Sequence, residues 1–197
     1  METKSASRLA TPTRLSPRER LLAAADELFY AEGVNTVGID RIIEKAGVAK
    51  ASLYDCFGSK EELVRAYLRA RAEARQARLT RHLERYDNPR ERLLGVFDYL
   101  GAAIADPNYR GCAFARASSD SRSGAGVRSV CDDSRQWTRE LFTQLAAAAG
   151  AREPALLARQ LVLLYDGVST SGLMDHDAQA ASAARAAAEA LLARACG

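Results

Sequence analysis

Apolar residues recur at three- and four-residue intervals along most of the chain, and no stretch alternates with period two, so the pattern predicts an all-α protein. Ser16-Pro17-Arg18-Glu19 has the form of a capping box with proline in the first turn. Behind it Leu21, Leu22, Ala25, Leu28 and Phe29 make one apolar face, and Gly33 is placed to end the helix with positive φ. A short helix is predicted over 39–45, with Gly38 before it and Ala46-Gly47-Val48 as its stop. A second short helix, 50–56, ends at Phe57-Gly58-Ser59, and Ser59 caps a longer one opening Lys60-Glu61-Glu62-Leu63. Asn88-Pro89-Arg90-Glu91 starts a helix that carries Leu93, Leu94, Phe97, Leu100 and Ile104 inward and stops at Asp106-Pro107.

Beyond it a short helix is expected over 111–117, a Ser/Gly-rich loop over 118–126, and long helices over 127–149, from Pro154 towards Met174, and over 179–195. The count is about nine helices: an N-terminal three-helix unit, then a larger C-terminal bundle. The expected divisions are an N-terminal arm over 1–13, a helix-turn-helix unit over 14–62 and a second domain over 63–197.

Composition narrows the class. In 197 residues, 48% hydrophobic and 27% charged side chains suit a globular protein of one or two cores. No run reaches the roughly 20 apolar residues of a membrane span, and the first 15 residues lack the apolar stretch of a signal peptide, so the expected location is the cytoplasm, with no membrane partner. Cys56, Cys112, Cys131 and Cys196 have neither CxxC nor zinc-ribbon spacing and are expected as free thiols. Cys112, between Arg110 and Arg116, is the one placed to favour a thiolate and a redox role. Residues 1–81 hold 15 lysines and arginines against 11 acids, whereas 82–197 hold 13 against 14, so the basic surplus sits at the front, where a nucleic-acid contact would lie.

The two short helices joined by Ala46-Gly47-Val48-Ala49 have the spacing of a helix-turn-helix, with glycine for the tight turn and Val48 between the helices. Leu53 and Phe57 face inward at i, i+4, leaving Lys50, Ala51, Ser52, Tyr54 and Asp55 outward. Lys50 has the reach for phosphate or guanine acceptors, Ser52 suits either, and Ala51 permits approach to a thymine methyl. Tyr54 is long enough to donate its phenolic hydrogen to a phosphate, Asp55 can accept from cytosine N4, and Lys60 adds charge at a helix N-terminus. The same pattern also suits a plain helical hairpin with a solvated Lys/Asp face.

Residues 33–63 resemble the DNA-binding segment of the tetracycline-repressor-like (TetR) regulators: Ile42, Ala46-Gly47-Val48, Lys50, Ser52, Leu53-Tyr54, Phe57 and Ser59-Lys60-Glu61-Glu62-Leu63 match its pattern. The resemblance implies a sequence-specific DNA-binding transcriptional regulator, a repressor released from a near-palindromic double-stranded operator by an unidentified small-molecule effector. It implies a homodimer through the last two helices, with Gly38, Arg41, Lys50, Ala51, Ser52, Tyr54, Asp55 and Lys60 at the DNA. The chain departs from the pattern at Ile43, where alanine is usual, at Ala49 and Gly38, where a hydroxyl is common, and at Asp55-Cys56, often aromatic or histidine.

In the second half, Phe97, Leu100, Phe114, Trp137, Tyr165 and Asp166 are the expected effector-pocket residues, with Tyr109 and Phe142 as further aromatic candidates; all the aromatics suit plain core packing as well. Asp166 lies in an apolar helix: if buried it needs a partner, a ligand amine or hydroxyl being one candidate among several, and a solvated or Arg159-related aspartate is the plainer reading. The final helix holds 10 alanines between Gln179 and Ala195, which suits close helix–helix contact as well as high helix propensity. His82 and His176 are the only histidines, and no HExxH, Ser/His/Asp, Walker or GxGxxG pattern occurs, so no catalytic residue, metal site or cofactor is expected. Asp175-His176-Asp177 reads as an interhelical turn. The alternative to a regulator is a helical protein-interaction module that does not bind DNA.

Overall fold

Side-chain caps from Ser16, Ser59 and Asn88 set where three of the described helices begin. In a computed structural model, residues 15–119, 124–177 and 179–196 are described; the expected arm over 1–13 and residues 120–123 of the expected loop lie outside them. Helix α1 (Pro17–Glu32) opens on the anticipated box: the Glu19 N–H donates to the Ser16 hydroxyl at 3.2 Å, and the Glu19 carboxylate accepts the Ser16 N–H at 2.7 Å. It ends at Gly33 with φ 97°. Helices α2 (Ile39–Ala46) and α3 (Lys50–Phe57) follow, then α4 (Lys60–Leu83), whose N-cap Ser59 accepts from the Glu62 N–H. The rest comprises α5 (Pro89–Ile104), α6 (Ala113–Ser118), α7 (Ala125–Ala148), α8 (Pro154–Met174) and α9 (Ala180–Cys196). The described residues thus form nine helices and no strand, as the periodicity predicts.

Two apolar cores organise them. The first gathers Leu21 and Phe29 of α1, Ile42 of α2, Leu53 of α3 and Leu63, Tyr67 and Leu68 of α4, and it extends to Phe114 of α6 and Val127, Val130 and Cys131 of α7. The second joins Leu79 and Leu83 of α4 to Phe97 of α5, Phe142 and Leu145 of α7, Leu161 and Tyr165 of α8 and Ala188 and Leu192 of α9. The boundary expected between 62 and 63 lies within the first turn of α4, a 24-residue helix roughly 36 Å long that contributes its N-terminal half to one core and its C-terminal end to the other. α4 and α7 therefore couple the two ends of the molecule mechanically: each is a single continuous helix with side chains locked into both cores.

Candidate nucleic-acid interface

The turn between α2 and α3 is built by the backbone. Gly47 takes φ 61° and ψ 45°, the left-handed conformation that glycine adopts without a Cβ penalty. Its N–H donates to the Glu44 carbonyl at 3.1 Å and the Val48 N–H to the Ile43 carbonyl at 3.3 Å, the paired bonds of a Schellman motif. The Arg20 Nη1 of α1 then donates to the carbonyls of Ala46 at 3.2 Å and Gly47 at 2.9 Å, tying the turn to the first helix. Across α3, Leu53 and Phe57 are buried, and the Arg18 guanidinium lies 5.0 Å from the Phe57 ring centroid.

This packing turns one face of α3 outward. Lys50, Ala51 and Asp55 are exposed, Ser52 is half-buried, and Tyr54 keeps 46% of its surface although it is a large ring. Gly38 is exposed at the N-cap of α2, and Ala49 caps α3 with no side-chain hydrogen bond. The Lys50 ammonium meets the Asp40 carboxylate at 3.0 Å, and that contact holds its pKa above the ordinary lysine value. Arg41 makes a two-pronged pair with Glu32 at 2.6 and 2.8 Å, which lowers the Glu32 pKa. Lys45 pairs with Glu27 at 2.7 Å, and the Lys60 ammonium stands 5.9 Å from the Phe29 ring centroid. Exposed pairs of this kind are weak, so they orient Lys50 and Arg41 without fixing them in place.

A cavity of about 1210 Å³ opens between α1 and α4, with α5, α6 and α8 behind it. Ligand pockets commonly enclose roughly 300–1,000 Å³, so a small organic molecule fits. Leu100, Phe114, Tyr165 and Tyr109 line it, whereas Phe97, Trp137 and Asp166 do not. Phe97 is fully buried in the second core, its ring 6.1 Å from that of Phe142, because the face of α5 that carries it turns to α7 rather than to the opening. Trp137 is half-buried on α7 with its ring 5.5 Å from the Arg75 guanidinium. Asp166 is held by Arg135 through two bonds of 3.0 and 2.6 Å, so its partner is neither a ligand nor Arg159.

The cavity wall joins α1 to α4. Arg71 donates to Asp26 at 2.6 and 3.1 Å and stacks 3.6 Å from the Tyr30 ring centroid. The Tyr30 hydroxyl donates to the Gly111 carbonyl at 3.3 Å and accepts the Arg110 N–H at 3.0 Å, and Arg116 donates to the Tyr30 carbonyl at 2.8 Å. Burial pushes the Tyr67 and Tyr109 phenols up to about 12, so both are neutral donors near pH 7. Cys112 also lines the cavity, while Cys131 lies in the first core with its thiol pushed up to about 11 by burial.

The family model for bacterial regulatory proteins of the tetR family matches residues 21–67, the segment just described. A crystal structure of a TetR-family transcriptional regulator from Streptomyces coelicolor superposes with a TM-score of 0.84 at 30% identity, over 92% of this chain and 96% of that one. This chain belongs to the TetR family of bacterial transcriptional regulators. Among curated relatives, the HTH-type transcriptional activator FasR of Mycolicibacterium smegmatis is 37% identical over 87 residues, 42% of this chain and 40% of that protein. The HTH-type transcriptional repressor KstR2 of Mycobacterium tuberculosis is 37% identical over 82 residues, 42% of this chain and 41% of that protein. The matches thus span about two fifths of the curated relatives' length.

For a TetR-family chain, sequence reasoning located the short helices and the outward side of α3 but missed Arg20, Arg71 and Arg75. Arg71 and Arg75 sit among seven arginines and lysines of α4, where the whole helix looks solvated. Their spacing from Tyr67, at four and eight residues, was the available signal: it places all three on one helix face. Among the described residues no helix is long and apolar enough to cross a membrane.

Proposed function

We propose that this protein is a homodimeric, sequence-specific DNA-binding regulator, a repressor whose recognition helix α3 leaves a near-palindromic operator when a small molecule occupies the cavity. Residues 14–62 read DNA in this scheme, and residues 63–197 bind the effector and dimerise. The carrying observation is the α3 face: the Schellman turn at Gly47 and the Arg20 bonds hold Lys50, Ala51, Ser52, Tyr54 and Asp55 outward from a buried Leu53–Phe57 seam. Lys50 exchanges Asp40 for a phosphate or a guanine edge, Ser52 bonds to either, and Ala51 lies against a thymine methyl. Tyr54 and Lys60 bind phosphates, Asp55 accepts from cytosine N4, and Arg41, with Gly38 letting the backbone close in, meets the DNA beside them.

Support for the dimer comes from α8 and α9. Leu156, Leu163, Gly167, Thr170 and Met174 fall on one exposed face of α8, with Leu163 at 67% and Met174 at 73% exposure. Ala183, Ala187, Ala190 and Ala193 are exposed on neighbouring α9, where small side chains permit close approach. In the proposed dimer the two recognition helices meet successive major grooves, roughly 34–36 Å apart. Effector release follows from the seam: an occupant of the cavity touches α1 and α4 together, and preferring the form with misaligned recognition helices lowers DNA affinity by that difference.

Selection of genomic fragments with the purified protein, followed by fluorescence-anisotropy titration of the recovered duplex at several salt concentrations, tests this reading. The expected outcome is a near-palindrome whose affinity falls steeply with salt, because phosphate contacts release counterions. Absence of duplex binding at every salt concentration overturns it.

A further inference from the structure

Three arginines line the cavity among the described residues: Arg71 is paired with Asp26, Arg78 is exposed to solvent, and Arg75 is a half-buried cation whose hydrogen-bond partners are all neutral. Arg75 of α4 donates through Nη2 to the Ser134 hydroxyl at 3.0 Å, the Ser134 carbonyl at 3.3 Å and the Thr138 hydroxyl at 3.3 Å. Its Nη1 has a 3.5 Å contact with the Tyr165 hydroxyl, and its Nε is shielded from solvent without a hydrogen-bond partner. The guanidinium lies between two rings, 5.2 Å from the Phe114 centroid and 5.5 Å from that of Trp137. A charge held among apolar rings and neutral dipoles is poorly compensated, and it gains most from an anion that accepts its remaining hydrogens.

None of the carboxylates lining the cavity serves Arg75. Asp26 is taken by Arg71, Glu27 by Lys45, Glu19 by the Ser16 cap and Asp106 by the Asn108 N–H. Burial keeps Tyr165 protonated alongside Tyr67 and Tyr109, so the phenols are donors and supply no negative charge. A half-buried guanidinium with no carboxylate partner, hydroxyls nearby and an apolar wall of Leu100 and Phe114 describe a site for a monoanion with an apolar body.

We propose that the cavity binds an organic acid, its carboxylate on the Arg75 guanidinium and its hydrocarbon or aromatic body against Leu100, Phe114 and Tyr165. This inference rests on the reading of the cavity as the effector site and names the chemical class of effector. A charge-assisted bond from the guanidinium to a carboxylate is stronger than one to a neutral hydroxyl, so acids are selected over alcohols of the same skeleton.

Isothermal titration calorimetry of the full chain with octanoate, phenylacetate and naphthylacetate, each beside the alcohol of the same carbon skeleton, tests the class directly. The acids are expected to bind roughly ten- to a hundredfold more tightly than the alcohols, the range for a hydrogen bond to a charged group. Arg75→Gln is expected to erase that preference and Arg75→Lys to retain part of it. Alcohols bound as tightly as acids, a preference that survives Arg75→Gln, or no acid bound at all would each overturn the proposal. Duplex displacement is followed separately: acids that bind at Arg75 and leave the duplex in place sink the effector reading and leave the acid site standing. Acid selectivity can fail while salt-sensitive duplex binding persists, and then only the Arg75 assignment falls.

Discussion

The N-terminal three helices and the C-terminal bundle solve the same packing problem with different amounts of local instruction. α1 carries a complete capping box, α2 ends in a Schellman turn, and α4 starts from a serine cap, so the small unit is delimited by bonds within three to five residues. Its exposed large side chains are Leu15 before α1 and Tyr54 on the proposed DNA face. In the bundle α5 has the Asn88 cap, α7 and α8 begin without one as α2 and α3 do, and Leu156, Leu163, Leu173 and Met174 remain exposed along α8. The front core is covered, with α6 and α7 completing it. The back leaves an apolar face of the kind that marks an interaction surface.

Breaking the uncovered face gives the largest expected effect. Leu163→Arg puts a charge at the centre of the α8 stripe and is expected to yield monomers by analytical ultracentrifugation. It should weaken binding to a two-half-site duplex by roughly 100-fold, the avidity lost when the two recognition helices are unlinked. Binding to a single half-site should change little, and a dimer that survives the substitution would contradict the α8 assignment.

Within the small unit, Arg20→Met removes the donor that joins α1 to the Ala46 and Gly47 carbonyls while preserving chain length. A loss of about 1–2 kcal/mol is expected, a melting decrease of roughly 2–8 °C for a chain of this size, with duplex affinity falling as α3 loosens. A melting loss without weaker duplex binding would separate Arg20 from the positioning of α3.

Ala49→Ser sharpens the contrast in the other direction. The Ala49 backbone already has the extended N-cap conformation, φ −71° and ψ 151°, and lacks only the side-chain acceptor. The serine should stabilise the protein by about 0.5–1 kcal/mol, seen as a higher denaturant midpoint. A comparable gain is not expected from Gly38→Ser, because glycine at an N-cap sacrifices only a few tenths of a kcal/mol.

A pH-dependent effect is expected at the seam between the two regions. Burial raises Cys131 from 9.0 to about 11 and Tyr67 and Tyr109 from 10.0 to about 12. The folded state therefore retains protons that the unfolded chain releases, so their stabilisation is complete below pH 9 and is lost as pH rises through 11 and 12. Urea midpoints should fall progressively over that interval, and a Cys131→Ala variant should lose the part of the slope that begins nearest pH 9. A flat profile from pH 9 to 12 would mean that these groups are no more buried than in the unfolded chain.

The DNA-side geometry was legible because the signals are short-range. Ser16 to Glu19, Gly47 within its turn, and the Leu53–Phe57 spacing all lie within one helical turn of their partners, and backbone sterics restrict what they can form. Lys50 and Tyr54 were readable as outward-facing for the same reason. Their ionic partners were harder to foresee: the Lys50–Asp40 and Arg41–Glu32 pairs are ten and nine residues apart and form only when neighbouring helices pack at particular angles.

The cavity shows where local reading stops. Phe97, Leu100, Phe114, Trp137 and Tyr165 are all apolar residues on helices, and nothing within a helical turn distinguishes those that fill the core from those that line a void. Packing assigns Phe97 to the core and Leu100 to the cavity only three residues later, pairs Asp166 with Arg135, and brings Arg75 between Phe114 and Trp137. Helix limits, the turn at Gly47 and the outward side of α3 follow from bonds and steric limits along a few residues of chain. The cavity, the half-buried Arg75 and the exposed α8 stripe arise from the relative placement of α1, α4, α7 and α8, which long-range burial sets and no local run of residues encodes.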